Sequence, residues 1–200
     1  TITQDSDSPD LQWLFDNTEK FCKDRAVHNA VMEGIHILDG KNTKQTPEAI
    51  PEIMKGQDMI GCAQTGTGKT AAFILPILHK ISEEKTKGTN TLVIVPTREL
   101  AMQIDQQIQG LAYFTHTSSY AIYGGGDGIS WEAERRAFTN GTNILIATPG
   151  RLMSHMMNDY VDFSTVKHLI LDEADRMLDI GFYDDIVKII SKLPAERQSL

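Results

Sequence analysis

Ala63-Gln64-Thr65-Gly66-Thr67-Gly68-Lys69-Thr70 decides the fold through what stands on either side of it. Before it runs a short apolar segment, DMIGCA from Asp58. After it, Phe73, Ile74, Ile77, Leu78 and Ile81 recur at the spacing of one helix face. A strand, a glycine-rich turn and a helix in that order make a cradle for phosphate. Gln64, Thr65, Gly66, Thr67 and Gly68 are its candidate residues, because glycines let backbone N–H groups approach phosphate oxygens. Lys69 is spaced to reach the β and γ oxygens, and Thr70 offers a hydroxyl to Mg²⁺. The first glycine of the general pattern is missing. Ala63 occupies its slot, and Gly61 falls outside it.

Working outward, four more short apolar runs alternate with helical stretches: TLVIVP from Thr91, SYAIYG from Ser119, NILIATP from Asn143 and KHLILDEA from Lys167. Most are apolar almost throughout, as in strands covered on both faces, so the pattern predicts an α/β fold with a mainly parallel sheet. Leu100, Ile104 and Ile108 mark another helix face. Pro76 sits inside the first helix and must kink it or be absorbed locally. Two hundred residues, 40% hydrophobic, suffice for one buried core. Residues 1–20 read as a polar leader, and 21–200 as one domain.

No apolar run approaches membrane-spanning length, and the N-terminus lacks the order of a signal peptide. Cys22 and Cys62 are too few and too far apart for a metal knuckle or a disulfide framework. A soluble cytoplasmic protein without a membrane partner is expected. The net charge of -8 excludes broad electrostatic attraction to nucleic acid, so any such contact must come from backbone amides, helix N-termini and a few placed arginines.

Asp172-Glu173-Ala174-Asp175 closes the apolar run HLIL, where ligands of open α/β sheets sit. Asp172 can hold the Mg²⁺ shell, and Glu173 can polarise the attacking water as general base. Acidic clusters are usually solvated surface, but these carboxylates close a hydrophobic strand in a chain that also carries a phosphate loop.

Together, AQTGTGKT and DEAD resemble motifs I and II of the DEAD-box RNA helicases. Three further matches follow family order: Pro96-Thr97-Arg98-Glu99-Leu100, the pair Gly124-Gly125, and Thr148-Pro149-Gly150-Arg151. The resemblance spans residues 21–200 and implies an N-terminal RecA-like P-loop NTPase domain that uses ATP and Mg²⁺ and binds RNA through its sugar-phosphate backbone. It assigns Lys69, Asp172 and Glu173 to catalysis, and Asp175 with the phosphate loop to the nucleotide. It assigns Pro96, Thr97, Arg98, Gly124, Gly125, Thr148, Pro149, Gly150 and Arg151 to RNA. A helix opening after Thr148 would offer phosphate its N-terminal amides, and Arg98 and Arg151 would add charge-assisted contacts.

Two departures stand out. The family reads adenine through a Gln preceded by Thr-Pro, with an aromatic residue upstream. Phe21 stands at the upstream distance, but Gln45 lies one position before the expected slot, which Thr46 fills. Either a local bulge brings Gln45 to adenine, or adenine selectivity is weakened. After Leu200 the family continues into a strand carrying a third motif and a second RecA-like domain, so this stretch alone is expected to be nearly inactive. A P-loop kinase or GTPase is disfavoured, because the chain shows no guanine-reading motif. A noncatalytic RNA- or protein-binding module is disfavoured by the intact Lys69, Asp172 and Glu173.

Overall fold

The runs from Thr91, Ser119, Asn143 and Lys167 form strands β1 Thr91–Ile94, β2 Ser119–Ile122, β3 Ile144–Ala147 and β4 His168–Leu171. The computed structural model describes residues 49–61, 68–84, 88–125 and 128–200. The leader, Phe21, Gln45 and the loop residues Gln64, Thr65, Gly66 and Thr67 lie outside the described residues. A short fifth strand, β5 Gln198–Ser199, completes a sheet of order β2-β3-β1-β4-β5 in which every pairing is parallel.

Among the described residues the α-helices are α1 Ala49–Met54, α2 Lys69–Glu84, α3 Arg98–Leu111, α4 Gly128–Thr139, α5 Pro149–Met156, α6 Ala174–Ile180 and α7 Tyr183–Ile190. They cover both faces of the sheet, and the period-2 alternation of the strands decides which residue meets which layer. Val93, Val95, Ile144, Ile146 and Ile170 pack with α1, α2 and α3 through Ile53, Phe73, Ile74, Ile77, Ile81, Ala101, Ile104 and Ile108. Leu92, Ile94, Leu145, Ala147 and Leu169 face the other way, toward Phe138, Leu152, Met177, Ile186 and Ile189 of α4 to α7. Burying an aliphatic side chain contributes about 1.5–3 kcal/mol, so this double layer dominates the stability of the sheet. Pro76 is accommodated within α2, which continues to Glu84.

One expected strand does not form over its described residues. Asp58–Gly61 takes no strand conformation, and Ile60 is 95% exposed. The segment runs beside β5 with one backbone bond, Met59 N–H to the Ser199 carbonyl at 3.0 Å. The Ser199 N–H, which a neighbouring strand would take, donates instead to the Asp58 carboxylate at 2.6 Å. The Asp58 side chain thus replaces the rung that would have extended the ladder. At the other end of the chain, Gln198–Ser199 form a two-residue strand that the apolar pattern did not mark.

A polar knot ties α1 to this edge. The buried Gln198 amide donates to the carbonyls of Ile53 (3.1 Å) and Gln57 (2.7 Å), and its oxygen accepts from Lys80 (3.1 Å). Nearby, His168 is 5% exposed, and neither ring nitrogen has a hydrogen-bond partner among the described residues. Burial, seconded by the Lys80 charge, lowers its pKa to about 4. Folding therefore favours the neutral ring. Stability is fully present above the unfolded value of about 6.5 and falls as pH drops toward 4, by up to about 1.4 kcal/mol per pH unit. Urea melts between pH 7 and 4.5 should show a steeper loss for the wild type than for His168→Leu. Parallel curves would refute the assignment.

Candidate active site

Because the strands are parallel and in register, their last residues stand in one row. Ile94 pairs with Ala147 and Leu171, and Ala147 pairs with Ile122. The chain leaves all four strands at the same edge and enters there the Gly124-Gly125 turn, Thr148, Pro96-Thr97 and Asp172, in the spatial order β2, β3, β1, β4. Neighbouring strands lie about 4.8 Å apart, so the row from β2 to β4 is about 14 Å long. Backbone bonds hold it beyond the strands: Val95 N–H to Ala147 (3.0 Å), Thr148 N–H to Ile122 (3.1 Å) and Asp172 N–H to Ile94 (3.1 Å).

At the β4 end, Gly68 adopts φ +84, a left-handed conformation suited to glycine, and α2 starts with Lys69 and Thr70. Lys69 forms no ion pair among the described residues, and its charge acts on Asp172. Burial pushes the Asp172 carboxyl above the usual range, while Lys69 and the Glu173 amide pull it back. That amide donates to Asp172 Oδ1 at 3.0 Å. Glu173 itself sits at φ 55, ψ 45, a left-handed conformation rare for a residue with a side chain. Such a backbone costs on the order of 1–3 kcal/mol and concentrates at functional sites. It turns the chain sharply from β4 into α6. The Glu173 carboxylate pairs with Arg176 at 3.1 Å, a partner that sequence reading missed although its i+3 spacing was available. Asp175, in the first turn of α6, is exposed.

Mg²⁺ prefers oxygen ligands and commonly takes only one or two protein groups, with phosphates and water completing its shell. Among the described residues no group of three or more His, Cys, Asp or Glu side chains could hold a metal. The half-buried Asp172 carboxylate and the Thr70 hydroxyl are oxygen donors of the kind such an ion takes.

At the other end of the row, Arg98 is exposed, its side chain against Gly125 and Nε 3.2 Å from Glu99. Gly125 has φ +96, and a Cβ there would stand 3.3 Å from Arg98 Nη1. Thr97 caps α3, its hydroxyl accepting from the Leu100 N–H at 3.3 Å. Thr148 is the N-cap of α5, but its hydroxyl makes no capping bond, and Pro149 holds the first turn. Gly150 is exposed there, whereas Pro96 and Pro149 are buried and shape the backbone.

Arg151 is not a free cation. Its Nε donates to Glu134 Oε2 at 2.7 Å, and the guanidinium lies 4.6 Å from the Trp131 ring centroid. His155 Nε2 lies 2.7 Å from the same carboxylate oxygen, and the Tyr160 hydroxyl 2.7 Å from His155 Nδ1. Sequence reading passed over Glu134, Trp131 and His155. Trp131 and Glu134 share a face of α4, as Arg151 and His155 do of α5, but no spacing shows that the two faces meet.

Comparison with known proteins agrees with this geometry. The DEAD/DEAH box helicase family model matches residues 43–200. The chain is 46% identical over 153 residues to the ATP-dependent RNA helicase CshA of Listeria monocytogenes, covering 76% of this chain and 29% of the relative. It is 45% identical over 153 residues to the DEAD-box ATP-dependent RNA helicase RhpA of Helicobacter pylori, covering 76% and 30%. With the ATP-dependent RNA helicase HAS1 of Candida albicans it shares 43% over 164 residues, covering 80% and 28%. The chain thus spans about 30% of the length of these relatives. With a phosphate-loop helix, a carboxylate pair and three further motif loops on one sheet edge, the chain belongs to the DEAD/DEAH box helicase family.

Proposed function

We propose that the chain is the N-terminal RecA-like domain of an ATP-dependent RNA helicase, and that residues 21–200 form that domain behind a polar leader at 1–20. The observation that carries this reading is the shared edge: Lys69 opens α2 within electrostatic reach of Asp172, and the loops after β2, β3 and β1 continue the same row. Lys69 addresses the β and γ oxygens of ATP. Thr70 and Asp172 would hold Mg²⁺, which would neutralise charge developing on the phosphates. Glu173 takes the proton of the attacking water and must leave Arg176 to do so freely. Asp175, Phe21, Gln45 and the loop Gln64 to Gly68 complete the nucleotide contacts by resemblance.

Pro96, Thr97, Arg98, Gly124, Gly125, Thr148, Pro149, Gly150 and Arg151 form the RNA side, with the prolines acting through the backbone they shape. Amides at the start of α5 and the exposed Arg98 meet sugar-phosphate groups, which carry no base identity. A second RecA-like domain, packed across this edge in the full-length protein, is the partner, and the reducing cytoplasm is its setting. No described helix is long and apolar enough to cross a membrane.

Lys69→Ala should raise the Kd for ATP by about tenfold or more, the worth of a charged hydrogen bond, and leave adenosine binding within about twofold. Calorimetric titration of both ligands measures it, and equal losses would mean that Lys69 acts through the fold. Glu173→Gln in the full-length protein should retain ATP while turnover falls by about 10²–10⁴. Near wild-type RNA-stimulated turnover would remove Glu173 as the base. Residues 1–200 alone should hydrolyse ATP slower than the full-length protein by about 10³–10⁵, the usual contribution of an arginine across the γ-phosphate, which the motif loops here do not supply. Equal RNA-stimulated rates would show that the site is not shared.

A further inference from the structure

Glu134 is 2% exposed, and both of its carboxylate oxygens are engaged with the elements that carry the RNA-side loops. Oε1 accepts the Tyr123 N–H at 3.3 Å, the amide immediately before Gly124-Gly125. Oε2 accepts from Arg151 in the first turn of α5 at 2.7 Å and from His155 one turn later at 2.7 Å. Trp131, one turn earlier on α4, stacks on His155 with ring centroids 3.9 Å apart and 13° between planes, and also faces the Arg151 guanidinium. Only 16% of the Arg151 side chain is exposed, and its Nη2 is buried without a hydrogen-bond partner among the described residues. A cation so enclosed has little surface left for a phosphate.

We propose that Glu134 is a positioning residue for RNA binding. Its single carboxylate sets the distance between the Gly124-Gly125 turn and the N-terminus of α5, so that both address one strand, while Arg151 serves that spacing and not the phosphate. The proposal rests on the RNA reading of this edge.

Charge and position predict opposite signs here. Glu134 is an anion near a surface assigned to a polyanion, so deleting its charge alone would tighten RNA binding. Deleting a spacer loosens it.

The test uses the full-length protein, a single-stranded RNA oligonucleotide and a nonhydrolysable ATP analogue, with RNA Kd measured over a range of salt and analogue Kd measured without RNA. Glu134→Ala should weaken RNA binding by about tenfold or more, as for loss of a charged contact, and leave analogue binding within about twofold. The slope of log affinity against log salt should match the wild type, since no cation is lost. Arg98→Ala should lower that slope by about 0.7. Glu134→Gln, which keeps the shape and one acceptor, should fall between wild type and Ala. Trp131→Leu removes the aromatic platform without orphaning a buried charge, and should weaken RNA in the same direction if Glu134→Ala folds poorly. Wild-type or tighter RNA binding by the Glu134 and Trp131 variants, while Arg98→Ala still weakens it, overturns the role of Glu134 alone. Parallel loss of RNA and analogue affinity overturns it in favour of general support of the fold. If Arg98→Ala changes nothing either, the RNA reading of the edge fails first and takes the proposal with it.

Discussion

The parallel hydrogen-bonded register of β1, β3, β4 and β2 is the constraint on which the rest depends. A parallel strand must return by a crossover, so every strand leaves the sheet at the same edge, and every functional loop is delivered there. In-register pairing of Ile122, Ala147, Ile94 and Leu171 sets the strand ends level along that edge. The crossover helices cover both faces, which is why the central strands β1 and β3 are buried throughout and aliphatic at every position but Thr91. An antiparallel sheet of the same residues would scatter these loops over two edges.

Strand order then divides the labour. Because β1 lies between β3 and β4, the loop after β1 adjoins both the Asp172-Glu173 carboxylates, assigned to nucleotide, and the loops assigned to RNA. The two proposed ligand sites therefore stand one strand spacing apart. The left-handed backbone at Glu173 stands at that boundary, and its carboxylate is held by Arg176.

The charge of the whole chain would repel both proposed ligands, each a polyanion. Local geometry answers this. Amides at the starts of α2 and α5 carry partial positive charge without adding to the net charge. Lys69 stands without an ion pair among the described residues, whereas the buried Glu134 consumes the charge of Arg151. Counting arginines in a motif therefore overstates the cations available.

Much of this was legible in the residues. Apolar runs marked four strands, and 3.6-residue spacing marked α2 and α3, because burial on both faces leaves few polar positions to confuse the pattern. The motifs assigned the nucleotide and RNA loops by chemistry at short range, where a few neighbouring residues suffice, and the strand order brings the described ones to one edge of the sheet. Sequence alone misjudged Asp58–Gly61, whose apolar letters suit a strand, because the rung was taken by a side chain 141 positions from Ser199. It also gave Arg151 a charge-assisted phosphate contact, and nothing in the motif shows the Glu134 carboxylate and the Trp131 ring that packing sets against its guanidinium. Local sequence determines which elements form and which groups are reactive. Which of those groups remain free for a ligand depends on contacts between distant segments, and those are settled by packing.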